Sequence, residues 1–401
     1  MKSSGIRLLI ILYAGDYREV CRRLASGQGE THHSHPYTLK AITELNEQLE
    51  EVSVLCCKSQ EPYNEVVEKG FRVIGAGCDP YKHPQQTINQ IEAYQPTHLV
   101  VRVPIPGIFR WAIRNQVRTL GILADSFLNT GLRNQVKNYW LARLLNHPVI
   151  EWVANHGVNS CQSLQKIGVD PNKIIPWDWP QANNPDAFSP KQSPSSPDRL
   201  NLIYVGSVSA AKGVGDILDA IAKLKHKPLS VSLKIAGKGA TDHFLHYAKQ
   251  LNIQDHVKFL GLIPYHEVIH FMRSADIVLV PSRHNYPEGL PRTIYDGLCS
   301  RTPLITSDHP MFQGNLEHEK SALIFPAGHS TAMAHCIERL QANTELYHRL
   351  SANACYAWRR LQIPVKWADL VQSWIHASPE NRSWLFEHRL ASDRYQLLSK
   401  P

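Results

Sequence analysis

Residues 281–308 read PSRHNYPEGLPRTIYDGLCSRTPLITSD, and this stretch decides the fold. An apolar run at 275–280 precedes it and predicts a strand. After a polar loop, Ile294 and Leu298 fall on one face of a predicted helix, and residues 304–306 predict the next strand. The stretch is therefore a βαβ unit, and ligands of open α/β sheets bind beyond the carboxyl ends of such strands.

Two acids in this stretch, Glu288 and Asp296, are eight residues apart. If both lie on the helix, they share one face at a separation of roughly 12 Å. Acid and base carboxyls that flank a single glycosidic bond lie about 5 to 9.5 Å apart. The spacing therefore favours contacts at opposite ends of an extended ligand.

The rest of the chain repeats the alternation of strand and helix. Residues 1–180 predict a Rossmann-like parallel sheet, and residues 201–365 predict a second one. Residues 181–200 are rich in Pro, Ser and Asn and predict a linker, while residues 366–401 have a helical pattern and are expected to pack back on the first domain. Two such domains imply a central cleft between them.

The composition of the chain limits the classes of partner that it is expected to bind. The 401-residue chain is 43% hydrophobic with a net charge of +8, which favours nucleotides, phosphates or anionic lipid headgroups as partners. Without a dense basic stripe, nucleic acid is not an expected partner. The eight cysteines form no Cys-x-x-Cys motif, as is typical of reduced thiols in a cytoplasmic protein. No apolar run is long enough to span a bilayer, so membrane contact would be peripheral.

A series of short motifs resembles the donor-binding half of the GT-B fold, retaining glycosyltransferases of family 4. The resemblance is close over residues 200–345 and looser before them. The motifs, in order, are Val205-Gly206-Ser207, Lys212-Gly213, Ile235-Ala236-Gly237-Lys238-Gly239, Phe259-Leu260-Gly261, Ser274-Ala275-Asp276, Pro281-Ser282, Glu288-Gly289 and Asp296-Gly297.

The resemblance implies that Lys212 contacts the pyrophosphate of a nucleotide-sugar donor. Gly206 and Gly213 flank a strand-to-helix loop, where backbone N–H groups and the helix dipole attract phosphate. The family usually has an arginine just after the first glycine, whereas this chain has Ser207. Arg283 and Arg292, both in the opening stretch, are the two candidates to replace the missing charge.

The resemblance also implies that Glu288 binds hydroxyls of the donor sugar, with Gly289 and Leu290 offering backbone N–H groups. Asp296 takes the place of the family's second glutamate, which binds the ribose. Gly237 and the backbone near Leu262 complete the predicted donor site. The family needs no metal or other cofactor, so none is expected.

On the first domain, Asp125 follows a predicted strand where the family often has a catalytic histidine. It either acts on the sugar or acceptor hydroxyl, or it caps the helix that begins near Asn129. His33 and His35, on the loop after the first strand together with His32, either contact a substrate, hold a metal ion or are exposed loop histidines.

The segment 132–145 mixes basic residues with Tyr139 and Trp140. Helices of this composition can lie on anionic membranes, although an ordinary helix with one wet face has a similar pattern.

Together these features predict a retaining hexosyltransferase (EC 2.4) that moves a sugar from a nucleoside diphosphate sugar to a hydroxyl acceptor, which is a glycan, a lipid or a small molecule. The alternative is an inactive nucleotide-sugar-binding or regulatory protein of the same fold, with Ser207 and Asp296 as marks of a lost active site. An epimerase or phosphorylase of this fold is a third hypothesis.

Overall fold

The structure is a computed structural model, and it describes residues 3–13, 15–27 and 34–396. The chain divides into two compact units. The first comprises the residues up to Pro180 together with those from Ile363 onward, and the second comprises residues 181–362.

The first unit is built on an eight-stranded sheet with the strand order β3-β4-β2-β1-β5-β6-β7-β8. All pairs are parallel except β3 with β4 at the edge. Its strands are β1 Ser3–Leu12, β2 Leu49–Cys56, β3 Tyr63–Val66, β4 Arg72–Gly75, β5 His98–Val101, β6 Arg118–Leu123, β7 Ile150–His156 and β8 Ile174–Trp177.

The central strand β1 has neighbours on both sides and helices over both faces, which is why its residues 8–11 form an unbroken apolar run that is 1% exposed or less. The chain leaves β1 for β2 on one side and later returns to place β5 on the other. The carboxyl ends of β1 and β5 therefore flank a topological switch point, where open α/β sheets bind ligands.

In the described part of the chain, six helices lie between these strands. Their bounds are α1 Tyr17–Ala25, α2 His35–Gln48, α3 Pro84–Tyr94, α4 Pro106–Arg114, α5 Leu132–Leu145 and α6 Val158–Lys166. Helix α1 begins directly after Asp16, whose carboxylate caps it by accepting from the backbone N–H of Arg18 at 2.9 Å. Pro36 lies in the first turn of α2, where a missing backbone N–H breaks no helical hydrogen bond.

The second unit has a six-stranded, wholly parallel sheet with the order β11-β10-β9-β12-β13-β14. The prediction of two parallel-sheet domains is therefore confirmed. The strands are β9 Arg199–Val205, β10 Ser230–Ala236, β11 Val257–Gly261, β12 Ile277–Val280, β13 Leu304–Ser307 and β14 Leu323–Phe325. The helices are α7 Val214–Leu224, α8 Thr241–Gln250, α9 Tyr265–Ser274, α10 Arg292–Cys299, α11 Ser330–Ala342 and α12 Thr344–Arg360.

This second sheet has its own switch point, between the carboxyl ends of β9 and β12, which pair directly. Buried Asp276, just before β12, fixes the start of β9, because its carboxylate accepts from the backbone N–H of Asn201 at 2.7 Å and of Ser195 at 2.7 Å. The Ser274-Ala275-Asp276 motif thus has a structural use.

After α12, the described residues form three more helices, which belong to the first unit: α13 Trp367–His376, α14 Pro379–Glu387 and α15 Asp393–Gln396. Trp374 of α13 is buried and donates its indole N–H to Glu151 of β7 at 2.9 Å. Glu151 also holds Arg118 of β6 through two hydrogen bonds of 2.6 and 3.0 Å. These contacts fix α13 to the first sheet.

Candidate active site

The loops after β9 and β12 approach each other closely at the second switch point. Gly213, at the start of α7, has a φ of 75°, and a Cβ there would lie 2.2 Å from the carbonyl oxygen of Pro281. A Cβ on Gly237, after β10, would lie 1.8 Å from the carbonyl oxygen of Gly206. Only glycine permits these contacts, so both residues belong to the scaffold that brings the loops together.

Lys212 and Glu288 meet in this site. Lys212 Nζ forms an ion pair with Glu288 Oε2, lies 3.4 Å from Ser282 Oγ, and lies 4.7 Å from the centre of the Tyr286 ring. The side chains of Lys212 and Glu288 are only 11% and 13% exposed. The sequence motifs predicted both residues, and the fold brings them into contact across 76 positions.

The second carboxylate oxygen of Glu288 is unsatisfied. Oε1 is buried and has no hydrogen-bond partner among the described residues. The backbone N–H groups of Gly289 and Leu290 likewise donate to no other described residue. A buried acceptor and two neighbouring donors without partners are the groups that a sugar and a phosphate would satisfy.

The placement of Glu288 corrects one expectation. Glu288 lies in the loop before α10, which begins only at Arg292, so the eight residues to Asp296 are not two helical turns on one face. Pro291 ends the extended loop and stands at the N-cap of the helix. The separation of about 12 Å that helical spacing predicted therefore does not apply.

Asp296 is held inside the domain rather than at an open helix face. It is 3% exposed, and its Oδ1 accepts from Arg292 Nε at 3.0 Å and from the Tyr265 hydroxyl at 3.0 Å. Arg292 also donates to Tyr265 and to Gln181. Burial raises the pKa of Asp296, and the charge of Arg292 opposes that rise.

Arg283 is engaged by a carboxylate. Its Nε donates to Asp216 Oδ2 at 2.9 Å, and its terminal nitrogen donates to Asp216 Oδ1. Asp216 is buried in the first turn of α7. This bidentate pair fixes the loop after β12 against α7, so Arg283 has a scaffold role whether or not it also reaches a phosphate.

The remaining predicted donor residues are at the surface of the second unit. Ser207 is exposed, and its carbonyl accepts from the Tyr204 hydroxyl at 2.7 Å. Tyr204 is buried, and burial followed by the nearby charge of Glu288 raises its pKa. Leu262 follows β11 and is 47% exposed.

His309 was missed by the sequence motifs. It is 1% exposed, and its Nε2 lies 3.1 Å from the carbonyl oxygen of Tyr286. Burial lowers the pKa of His309, while the charge of Glu288 raises it. Its position two residues after β13, the next strand beyond the switch point, is the signal that would have found it.

On the first unit, Asp125 lies two residues after β6 and its carboxylate contacts no other described residue by hydrogen bond or ion pair. The helix-cap interpretation is wrong, because α5 begins at Leu132 with Gly131 at its N-cap and no side-chain cap. Burial raises the pKa of Asp125 to about 6, and the charge of Lys137 lowers it.

The two predicted site histidines, His33 and His35, have different outcomes. His35 does not lie on a loop, since it begins α2, and its ring lies 6.0 Å from that of Tyr17. His33 lies outside the described residues. Among the described residues, no group of three or more His, Cys, Asp or Glu side chains is arranged to hold a metal ion.

Part of the chain is similar to a known protein family. A family model described as glycosyl transferases group 1 matches residues 186–355. That match contains Lys212, Glu288 and Asp296, so the site described above lies within the residues that the family model matches.

Curated relatives match mostly over the same half. The amylovoran biosynthesis glycosyltransferase of Erwinia amylovora is 27% identical over 160 residues, which is 39% of either chain. The phosphatidyl-myo-inositol mannosyltransferase of Mycobacterium leprae is 24% identical over 262 residues, 64% of this chain and 66% of that one. The chain thus matches only about two fifths of the length of the first of these relatives.

Solved structures match over nearly the whole chain. Sucrose-phosphate synthase from Thermosynechococcus elongatus superposes with a TM-score of 0.67 at 17% identity, covering 93% of this chain and 100% of that one. Anabaena HepE in complex with UDP-glucose superposes with a TM-score of 0.62 at 15% identity, covering 89% and 95%. The predicted GT-B fold is confirmed, and with the group 1 match it supports a glycosyltransferase.

Proposed function

We propose that this protein is a retaining hexosyltransferase, which moves a sugar from a nucleoside diphosphate sugar to a hydroxyl acceptor. The observation that carries the proposal is the buried Lys212–Glu288 pair with its unsatisfied Oε1, at the switch point of a group 1 domain. The likeness to HepE, whose structures contain UDP and UDP-glucose, favours a uridine donor.

Each group has a role in the proposed donor complex. The pyrophosphate lies at the N-terminus of α7, where Lys212 and the backbone N–H groups of Gly289 and Leu290 offset the charge of the leaving group. Glu288 Oε1 accepts a hydrogen bond from a hydroxyl of the sugar. Asp296, fixed by Arg292 and Tyr265, accepts from the ribose hydroxyls, and the backbone near Leu262 contacts the base.

The reaction needs no protein nucleophile. The acceptor hydroxyl attacks the anomeric carbon on the same face from which the phosphate leaves. An oxygen of the leaving phosphate takes the hydroxyl proton, and the anomeric configuration is retained. Lys212 is more effective as a phosphate partner in this buried site than in water, because electrostatic attraction is stronger where solvent is excluded. Asp125 of the first unit is the proposed contact for the sugar or the acceptor hydroxyl. We expect no metal requirement.

The acceptor side includes a proposed membrane contact through α5. Leu132, Val136, Tyr139 and Trp140 are 81%, 58%, 55% and 58% exposed and lie on one helical face. Arg133, Lys137 and Arg143 are also exposed. This combination fits the surface of an anionic bilayer and a lipid-linked acceptor. Among the described residues, no helix is long and apolar enough to cross a membrane. We therefore propose a cytoplasmic protein that binds the membrane peripherally.

The proposal is tested with the purified full chain and a panel of UDP- and GDP-sugars. We expect UDP or GDP to raise the melting temperature, because binding to the native state stabilises it, and we expect slow release of the α-configured free sugar, detected by NMR. Binding without hydrolysis or transfer would favour the alternative of an inactive binding protein. Phosphate-dependent turnover or an epimerised free sugar would indicate a phosphorylase or an epimerase instead.

A further inference from the structure

The switch point of the first sheet contains an arginine that has no counter-charge among the described residues. Arg102 directly follows β5, and its backbone N–H donates to the carbonyl of Ile11 in β1 at 3.0 Å. Its guanidinium forms no ion pair or hydrogen bond with another described residue, and Nε is buried without a partner. Arg118 of the neighbouring strand β6, by contrast, is paired with Glu151.

The surroundings of Arg102 are aromatic. Its guanidinium carbon lies 5.4 Å from the ring centre of Trp177 and 5.1 Å from that of Trp179. Tyr17 also lies near, since the charge of Arg102 acts to lower the pKa of that phenol, although burial raises it to about 12. The three aromatic side chains are 0%, 8% and 6% exposed.

A partly buried cation without a counter-charge among the described residues is costly. Burial lowers the pKa of Arg102, yet a guanidinium stays protonated in proteins, so the charge remains. Contacts with the aromatic faces offset part of the cost of desolvation, but they leave the N–H donors without acceptors. The residue is partly exposed, which leaves a route to it from solvent.

We propose that the Arg102 crevice, formed by Tyr17, Arg102, Trp177 and Trp179 at the carboxyl ends of β1 and β5, binds an oxyanion, either a phosphate or a carboxylate. The planar fork of the guanidinium suits two parallel hydrogen bonds to such a group. Assigning the oxyanion to the acceptor rests on the proposed function, whereas the binding of an oxyanion at Arg102 does not.

The first test is calorimetric titration of the full chain with inorganic phosphate in a Lys212→Ala background, which weakens the phosphate site of the second unit. We expect Arg102→Gln to weaken phosphate binding roughly 10- to 100-fold, as the loss of a charged hydrogen-bond donor implies. Arg102→Lys keeps the charge without the fork and should weaken it less. Arg110→Gln, an exposed arginine of α4, is the matched control and should have no effect.

Acetate in place of phosphate separates the two sources of the oxyanion. Binding of acetate that depends on Arg102 indicates a carboxylate, and binding of phosphate alone indicates a phosphate monoester. A phosphate affinity that is the same with and without the Arg102→Gln substitution would overturn the proposal. If Arg102→Gln does not fold, an unchanged affinity in Arg102→Lys overturns it instead.

A transfer assay then tests the acceptor assignment. We expect Arg102→Gln to raise KM for a sugar phosphate acceptor about tenfold or more and to leave KM for the unphosphorylated sugar unchanged. Equal effects on both acceptors would overturn the assignment. The donor site is judged separately from the melting-temperature shift with UDP. A missing UDP shift with intact, Arg102-dependent phosphate binding would refute the proposed function and not the oxyanion site.

Discussion

The ammonium of Lys212 and the carboxylate of Glu288 form an ion pair within the second unit, and Glu288 Oε1 is left buried without a described partner. Lys212 lies two residues before α7, and Glu288 lies in the loop before α10. The pair thus joins the loops that follow the two strands of the switch point. It orients each charge before a donor arrives, which is the preorganisation that transition-state stabilisation requires.

Removing either charge should impair catalysis strongly. We expect Lys212→Ala and Glu288→Ala each to lower kcat/KM by about one to three orders of magnitude, or ~1.4 to 4 kcal/mol of transition-state stabilisation. Steady-state kinetics with the preferred donor measures this. Wild-type turnover in either variant would remove that residue from the site.

A stability cycle controls for misfolding in those variants. Lys212→Met leaves the Glu288 carboxylate buried and unpaired, which costs about 3–5 kcal/mol of unfolding free energy. The double variant Lys212→Met/Glu288→Leu has no unpaired charge and should recover most of that loss. Activity should stay low in the double variant, and its return together with stability would show that the pair serves only folding.

The Arg292–Asp296 pair should control how stability depends on pH. Burial raises the pKa of Asp296, so its stabilising contribution is complete below the unfolded value near 3.9 and is lost as pH rises through the folded value. Arg292 opposes the rise. Arg292→Met should therefore continue to lose stability up to a higher pH than the wild type does, as urea denaturation over a series of pH values measures.

The double variant Arg292→Met/Asp296→Asn is the control, since it has no carboxyl group to titrate at this position. Its stability should change with pH no more than that of the wild type. An Arg292→Met protein with the same pH dependence as the double variant would show that Asp296 is not the group responsible.

The carboxylate of Asp125 should lower the stability of the protein at high pH. Its pKa is raised by burial to about 6, so its stabilising contribution is present below pH ~3.8 and is lost as pH rises through about 6. Asp125→Asn should then be more stable than the wild type at pH 8, by on the order of 1–3 kcal/mol, and equally stable at pH 3.5. Chemical denaturation at the two pH values measures the difference.

Activity gives the second half of that prediction. If the ionised carboxylate contacts the sugar or the acceptor hydroxyl, wild-type kcat/KM rises as pH passes about 6. Asp125→Asn should lower kcat/KM at least about tenfold and remove that rise. A variant that is more stable and fully active would leave Asp125 without a catalytic role.

The site residues that belong to short sequence motifs could be predicted from the sequence. Lys212, Glu288 and the glycines stand at fixed offsets from strands whose apolar runs are plain, so their place at a sheet edge follows from the pattern alone. The helix α1 could also have been predicted, since Asp16 followed three residues later by Glu19 is a capping signal. The charged residues Arg18, Glu19, Arg22 and Arg23 obscured it.

Partners distant in the chain could not be predicted. Asp216 and Arg283 are 67 residues apart, and nothing in either motif indicates that Arg283 is held by a carboxylate. Arg102 follows an ordinary apolar strand, and only the placement of two tryptophans some 75 residues later gives it an aromatic surrounding. Such relationships depend on which strands become neighbours, and periodicity does not encode that order.

The exposed face of α5 should bind anionic membranes. Burying Leu132 and Trp140 in the interface is favourable by about 1.5–3 kcal/mol for each large apolar side chain, and each basic residue adds about 1 kcal/mol near an anionic surface. We expect the full chain to bind vesicles that contain phosphatidylglycerol and to dissociate as salt rises. Co-sedimentation with vesicles measures the bound fraction.

Substitution of Leu132 and Trp140 by serine should lower the vesicle partition coefficient at least about tenfold, because both apolar anchors are lost. Tyr356→Ser is the control, since Tyr356 is 65% exposed on α12 of the second unit and lies outside this face. Vesicles of phosphatidylcholine alone should bind weakly. Equal binding to both kinds of vesicle, or unchanged binding by the serine variant, would show that α5 is a solvated helix face and that the acceptor does not reach the site through it.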